Sequence, residues 1–429
     1  MAKPKLALIP AAQGTKLYSV LPSDGVGDFT FARGSVATRI NAQGLIENVA
    51  SGVSRLDYPL IDGVQKGCPH HILEPARTNV ITYSEDFSNS SWSKGNSSIT
   101  SDSIISPDGS LNADKLTADS SNSTHYIDTS SISFTSGVSY TVSIFVKDNN
   151  KNLVIQGSGS VTANAFASFD LKDGFIINES VGTGIIKNFG NGWYRCSLTF
   201  TSAATTSGVI TFLMGETRND SYQGDGTSGL YIYGASLEAG SYPTSYIPTT
   251  STTVTRSAET ASGAGNSTTF NDSEGVLMAE VKKINESTVT SSIVISDGTN
   301  SNRVQIALIG GTNAVYGYIQ SAGAGGGTVI TSNVPDFKST NKVLVKYNTT
   351  QVTLWINGFE ANTVIGNYTW SNGTLNELSF ETGAGTENFY GNTKQVQYFD
   401  STLADTQLEQ LTSWTSFTDM ANGQLYTIE

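Results

Sequence analysis

Charge is scarce in this sequence. Only 14% of its 429 residues are Asp, Glu, Lys or Arg, against a usual share of about 25%. The 24 Lys and Arg are outnumbered by 37 Asp and Glu, for a formal net charge of −13. A surface so poor in clustered cations cannot release counterions from a phosphate backbone, and no nucleic-acid partner is expected. Cysteine is rarer still. Cys68 and Cys196 fall in segments assigned below to different domains, so no disulfide framework holds the chain, and both are expected as free buried thiols. No apolar run approaches the roughly 20 residues of a membrane span. The apolar Leu6–Ile9 run stops at Pro10, short of the about 7–15 residues of a signal-peptide core. A chain made in a cytoplasm and not inserted in a membrane is the expectation.

Catalytic vocabulary is also thin. The three histidines are His70, His71 and His125, and adjacent His70 and His71 point to opposite faces of a strand, which prevents a shared metal site. No HExxH, CxxC or GxSxG occurs. The glycines from Gly323 to Gly327 lack the Gly-Lys-Ser/Thr ending of a phosphate cradle and read as a flexible loop.

Abundant Ser, Thr, Asn and Gly, with 10% aromatics, indicate short strands joined by many turns, an all-β chain. Its length calls for two or three domains. Residues 1–80 carry Pro4, Pro10, Pro22, Pro59, Pro69 and Pro75 and much of the basic charge. They read as an extended attachment or oligomerisation region that orders against a partner or neighbouring copies, or else as a strand arm on the next domain. Within it, Asp28–Val49 alternates around Asn41-Ala42-Gln43-Gly44 as a β-hairpin should, with Phe29, Phe31, Leu45 and Ile46 available for a buried face. Residues 81–248 show strands at regular spacing with Asp-Gly and Asn-Gly turns, an antiparallel jelly roll. There Tyr140, Val142, Ile144 and Val146 share one face. Residues 249–270 lose periodicity and read as a Ser/Thr/Gly linker that leaves the next domain free of the previous one. In residues 271–429 strands resume, and a hairpin turns Val343, Val345 and Tyr347, then Val352, Leu354 and Ile356, inward. A short helix follows, with Asp405 in its first turn, Leu408 and Leu411 on one face, and Thr402 as the candidate cap.

Three resemblances accompany this reading. The phrases FARGSVATRINAQGLIE (31–47) and LEPARTNVITYSEDF (73–87) resemble the opening region of bacteriophage fibre and tail-associated structural proteins. SGVSYTVSIFVKD, NGWYRCSLTFTS and GLYIYGASLEAGSYPTSYIPT are similar to a carbohydrate-binding-module-like jelly roll common in such fibres. KVLVKYNTTQVTLWINGFE with FYGNTKQVQYFDSTLADTQLEQLTSW resembles concanavalin A-like, LamG-type lectin domains. Together they imply a non-enzymatic virion structural protein, a head- or tail-fibre subunit. It would be exposed on the particle, contact other virion proteins and itself as a homotrimer, and adhere to bacterial surface glycans. A polysaccharide depolymerase and a decoration protein that binds no sugar are the alternatives.

Site candidates follow from side-chain chemistry. Trp193 and Trp355 lie in strand phrases and are expected in cores. Trp92 and Trp370 sit in polar, loop-like surroundings and are the glycan-contact candidates. Asp170, Asp173 and Asp225 could give oxygen ligands to calcium, although turn aspartates commonly bind no metal, and no cofactor is otherwise expected. Phe29, Phe31, Arg33, Arg39 and Arg77 are the candidate contacts of the attachment region. The carboxylates of Glu377 and Glu381, four residues apart on a strand, would stand about 13 Å apart, beyond the roughly 5–9.5 Å of a glycosidase pair.

Overall fold

A computed structural model describes residues 3–10, 12–13, 16–17, 19–162, 164–284, 289–322, 326–334 and 336–414. It is an all-β protein of antiparallel sandwiches, with one helix among the described residues.

Two six-stranded sheets form one sandwich. One runs Ser97–Ile105, Leu111–Ala118, Gly229–Ala239, Ser139–Asn149, Trp193–Thr201, Thr183–Gly190. The other runs Ser93–Gly95, Tyr126–Asp128, Ile210–Met214, Leu153–Gly157, Phe166–Asp170, Phe175–Ser180. Period-two alternation sends Tyr140, Val142, Ile144 and Val146 into the core between them, with Leu198, Leu237 and Phe212. A second sandwich faces the five-stranded sheet Gly326–Asn333, Ala314–Ser321, Arg303–Leu308, Ser291–Ser296, Glu377–Ser379 against an eight-stranded one. Val343, Val345, Tyr347, Val352, Leu354 and Ile356 enter this core as their alternation predicts. Leu344 and Trp355 face the other way, where the helix Asp405–Thr412 covers them with Leu408 and Leu411. Thr402 does not cap that helix, because its hydroxyl donates to Glu274 at 2.8 Å. The N-cap is Ala404, whose N–H donates to the Gln407 side chain at 3.2 Å.

The N-terminal residues are not a separate extended region. The eight-stranded sheet runs Phe359–Ile365, Gln351–Ile356, Asn341–Asn348, Glu274–Lys283, Gly391–Phe399, His70–Leu73, Arg55–Asp57, and Leu6–Leu8 also pairs with Gly391–Phe399. N-terminal strands therefore complete the C-terminal sandwich, more than 300 residues away in sequence by the register Leu6 to Tyr398. Phe29 and Phe31 lie in that core with Leu6, Leu8 and Leu73. They share no face with Ile46, which packs on the first sandwich. Proline spacing missed this because isolated three- and four-residue strands have no local signature until a distant edge pairs with them.

Residues 249–270 are not a free linker. Val254–Arg256 pairs with Arg77–Asn79, and Thr260–Ser262 pairs with Phe29–Ala32. Arg256 and Glu259 are wholly buried. A weak hydrophobic pattern concealed these strands, since the buried side chains of the segment include Arg256 and Glu259, which meet opposite charge, beside the small apolar Ala261. Cys196 is buried but Cys68 is exposed, and both are free. Of the Gly323 to Gly327 stretch, residues 323–325 lie outside the described residues, and Gly326 and Gly327 open a paired strand.

Candidate functional site

The junction of the two sandwiches is built on buried charge. Arg55 sends Nε to Glu259 Oε1 at 2.8 Å and Nη2 to Glu74 Oε2 at 2.8 Å, and also meets Glu259 Oε2. Arg33 Nη1 donates to Glu259 Oε1 at 2.7 Å, and Arg256 Nη1 lies 2.7 Å from Glu74 Oε2. Ser245, from the end of the first sandwich, donates its N–H to Glu74 at 2.8 Å. Three guanidiniums and two carboxylates thus pair out of water, the condition under which buried ions are tolerated, although Arg256 Nε finds no partner among the described residues. Burial alone would raise the Glu74 carboxyl, but Arg256 and Arg55 outweigh it and hold the group at about 2. Burial works against the Arg55 cation, and Glu259 and Glu74 reverse this to raise it further.

This network positions the hairpin Ala37–Ile40 and Ile46–Val49 on the outer face of the first sandwich. The row Thr141, Ser143, Phe145 points away from the inner core yet is buried, since Phe145 clusters with Ile46, Trp193 and Tyr246. A second hairpin, Leu60–Ile61 with Val64–Gln65, meets strand Thr183–Gly190 backbone to backbone. Both Gly63 and Gly190 have positive φ, and a Cβ on Gly190 would stand 2.4 Å from the Gly63 carbonyl oxygen.

Two cavities open around these hairpins. A groove of about 690 Å³ is lined by Gln43, Gln65, Leu111, Phe189, Trp193 and Tyr231, among others. Trp193 is 3% exposed and anchors through Nε1 to the Ile105 carbonyl at 3.2 Å, so Tyr231 and Phe189, both half-buried, supply the accessible ring surface. Ile105 and Leu111 are exposed beside them. Among the described residues no carboxylate lines this groove. Apolar rings flanked by amide side chains suit a polyhydroxylated ligand, whose C–H faces stack while its hydroxyls bond to amides.

Phe189 also lines the second cavity, a cleft of about 240 Å³ where the first sandwich, the Ala37–Val49 hairpin and the second sandwich meet. Lys187 enters it from the first sandwich and Lys282 from the second, with Asp57 between the hairpins accepting the Ile40 N–H at 2.8 Å. Burial lowers both lysines. Asp57 partly offsets this at Lys187, and at Lys282 the Lys187 charge adds to it, leaving Lys282 at about 8. The Asp57 carboxyl is pushed up by burial.

Of the site candidates singled out from sequence, Arg39 lines the smaller cleft and the others fall outside both cavities. Trp92 is 2% exposed, packed on Phe87 at 4.9 Å between ring centroids, and its Nε1 donates to the Tyr83 carbonyl at 3.0 Å. It is a core residue and offers a sugar no face. Trp370 is half-buried against the second core, edge-on to Tyr347, with Nε1 donating to Gln320. Asp170 accepts the backbone N–H groups of Lys172 and Asp173, and Asp225 those of Thr227 and Ser228. Both make turns, the bonds to Asp225 hold its carboxyl low, and no group of three ligand-type side chains that could hold a metal occurs among the described residues. Phe29, Phe31 and Arg33 are buried within the chain. Arg39 pairs with Glu47 at 2.5 Å and Arg77 lies over the Tyr242 ring at 5.3 Å. Glu377 and Glu381 lie outside both cavities. Each carboxyl is raised by burial, Glu377 further by Asp297 and Glu381 further by Glu377. The groove and cleft residues went unpredicted. The available signal was Phe189-Gly-Asn-Gly-Trp193, two aromatics bracketing a tight turn.

No family model and no curated protein matches this chain. Among solved structures, the CBM40 module of Ruminococcus gnavus IT-sialidase, bound to α2,3-sialyllactose, aligns at 18% identity and TM-score 0.30 over 35% of this chain and 87% of that one. The botulinum neurotoxin type G receptor-binding domain aligns at 12% identity and TM-score 0.27 over 35% of this chain and 38% of its own. Domains LG4-5 of the mouse laminin α1 chain align at 10% identity and TM-score 0.23 over 65% and 88%. Likeness this loose adds nothing to the fold read from the strands.

Proposed function

We propose that the protein is a non-catalytic, glycan-binding structural subunit of a bacteriophage particle, a fibre or surface appendage displayed on the virion and made in the host cytoplasm. The observation that carries the glycan reading is the groove of about 690 Å³, with the Tyr231 and Phe189 rings, Gln43 and Gln65 amides and no lining carboxylate among the described residues. A glycosidase needs two carboxyls flanking its substrate, which this groove does not supply. The virion reading rests on the resemblance of residues 31–47 and 73–87 to phage fibre proteins, as does homotrimerisation.

The decisive experiment has two arms. The purified protein applied to an array of bacterial surface polysaccharides should bind a subset without shortening them. Antibody raised against residues 271–429 should label virions. A blank array would leave a purely structural decoration, and shortened polysaccharide would make the protein a depolymerase. Particles without label would end the virion reading.

A further inference from the structure

The small cleft beside the groove carries more charge than it does: the ion that lines the groove is Lys147, whose Nζ donates to the Asn191 carbonyl at 2.7 Å. The chain as a whole carries −13, yet this cleft gathers Lys187, Lys282 and Arg195 against Asp57 at its accessible wall. Arg39 and Glu74 also line it, but each is already committed: Arg39 to Glu47, Glu74 to Arg55 and Arg256. Arg195 donates to the Thr244 carbonyl at 2.7 Å and the Ser143 hydroxyl at 2.9 Å. No carboxylate among the described residues lies within ion-pair distance of Lys187 or Lys282. Lys187 stands over the Phe189 ring at 5.2 Å, and Ile185 exposes an apolar side chain beside it. Two ammonium groups projecting from different sandwiches, Lys282 half-buried and Lys187 exposed, are therefore held in one cleft without a direct counterion. Such an arrangement is costly on its own and is relieved by an anion.

We propose that this cleft is an anionic subsite: it takes a single sugar bearing a carboxylate or a sulfate, between Lys187 and Lys282, at the end of a saccharide lying in the neighbouring groove. The assignment rests on the glycan reading of that groove. A volume of about 240 Å³ is below the roughly 300–1,000 Å³ of drug-sized ligand sites and fits one ring. Phe189, shared by both cavities, gives a surface across which a chain passes from one to the other. Since Lys187 belongs to one sandwich and Lys282 to the other, the subsite exists only while the buried ion network holds the two together.

Isothermal titration of the full chain with matched ligand pairs tests this. A galacturonate oligomer is compared with its methyl-esterified neutral form, and a sulfated oligosaccharide with its desulfated form. The acidic member of at least one pair should bind about tenfold or more tightly, as expected for new charge-assisted hydrogen bonds. Which pair shows the preference separates carboxylate from sulfate. Lys187→Gln and Lys282→Gln should each reduce the acid-to-neutral ratio several-fold, and together abolish it, with the melting temperature of each variant showing that it folds. Lys282→Arg should keep part of the preference. Equal binding of acidic and neutral forms, or a preference that survives the double substitution, overturns the subsite and leaves the groove. Acid-dependent binding of galacturonate monomer with no neutral oligomer bound would keep the subsite and sink the groove. Absence of binding by all four ligands counts against both.

Discussion

Arg55 and Glu259, 204 residues apart in sequence, meet with both side chains wholly out of solvent, Nε to Oε1 at 2.8 Å. Glu259 also accepts from Arg33 and from the Glu74 backbone N–H at 2.9 Å. Residues 249–270 thereby act as a strap across both sandwiches.

Removing one side of this network leaves buried cations without a counter-charge. Glu259→Ala should destabilise the protein by about 3–5 kcal/mol, measured as a lowered urea midpoint. Arg39→Ala, which breaks an accessible pair with Glu47, should cost less than about 1 kcal/mol. Equal effects of the two would contradict the placement of the network.

His71 gives stability a pH dependence. Buried between Phe31 and Phe380, with no hydrogen-bond partner on either ring nitrogen among the described residues, it is held down by burial, from the usual 6.5 to about 4. The unfolded chain therefore binds this proton more readily than the folded one. Its contribution is intact above about pH 6.5 and is lost as pH falls towards 4, an amount of roughly 3 kcal/mol. His71→Phe should flatten the slope of unfolding free energy between pH 6.5 and 4. An unchanged slope would count against a neutral buried imidazole.

Gly190→Ala tests the seat of the second hairpin. A Cβ there meets the Gly63 carbonyl at 2.4 Å, and φ of 81° is unfavourable to alanine. A cost of at least about 1–3 kcal/mol is expected, together with weakened glycan binding, because Gly63 and Gln65 wall the groove. Binding unaffected by this substitution would move the ligand elsewhere.

Two aromatic substitutions separate binding from packing. Tyr231→Ala should weaken glycan affinity with little loss of stability. Trp92→Ala should cost about 3–5 kcal/mol, and any lowering of its affinity should disappear when binding is measured well below its melting temperature. The reverse pattern would restore Trp92 as the sugar contact.

Much of the fold was legible because long strands advertise themselves. Ser139–Asn149 and Asn341–Asn348 alternate over enough residues for period two to show which side chains enter a core. The short strands Leu6–Leu8, Arg55–Asp57 and Val254–Arg256 were not, since three residues carry no period, and Leu6–Leu8 and Val254–Arg256 find their partners far along the chain. Trp92 was misplaced for a related reason. Its neighbours Ser91 and Ser93 are polar, but the burial of its ring depends on Phe87 and on Phe212 at 6.1 Å, the latter brought in only by the opposing sheet.

Composition and alternation by themselves determined an all-β chain of antiparallel sandwiches without a disulfide framework, because these properties are local and additive along the chain. Only the tertiary structure decided that the N-terminal strands complete the C-terminal sandwich, and that Arg33, Arg55, Glu74, Arg256 and Glu259 converge. It also decided that Lys187 and Lys282 face one cleft. Charge pairing and cavity shape depend on distances across sandwiches, and distances of that kind are set by packing and not by neighbours in sequence.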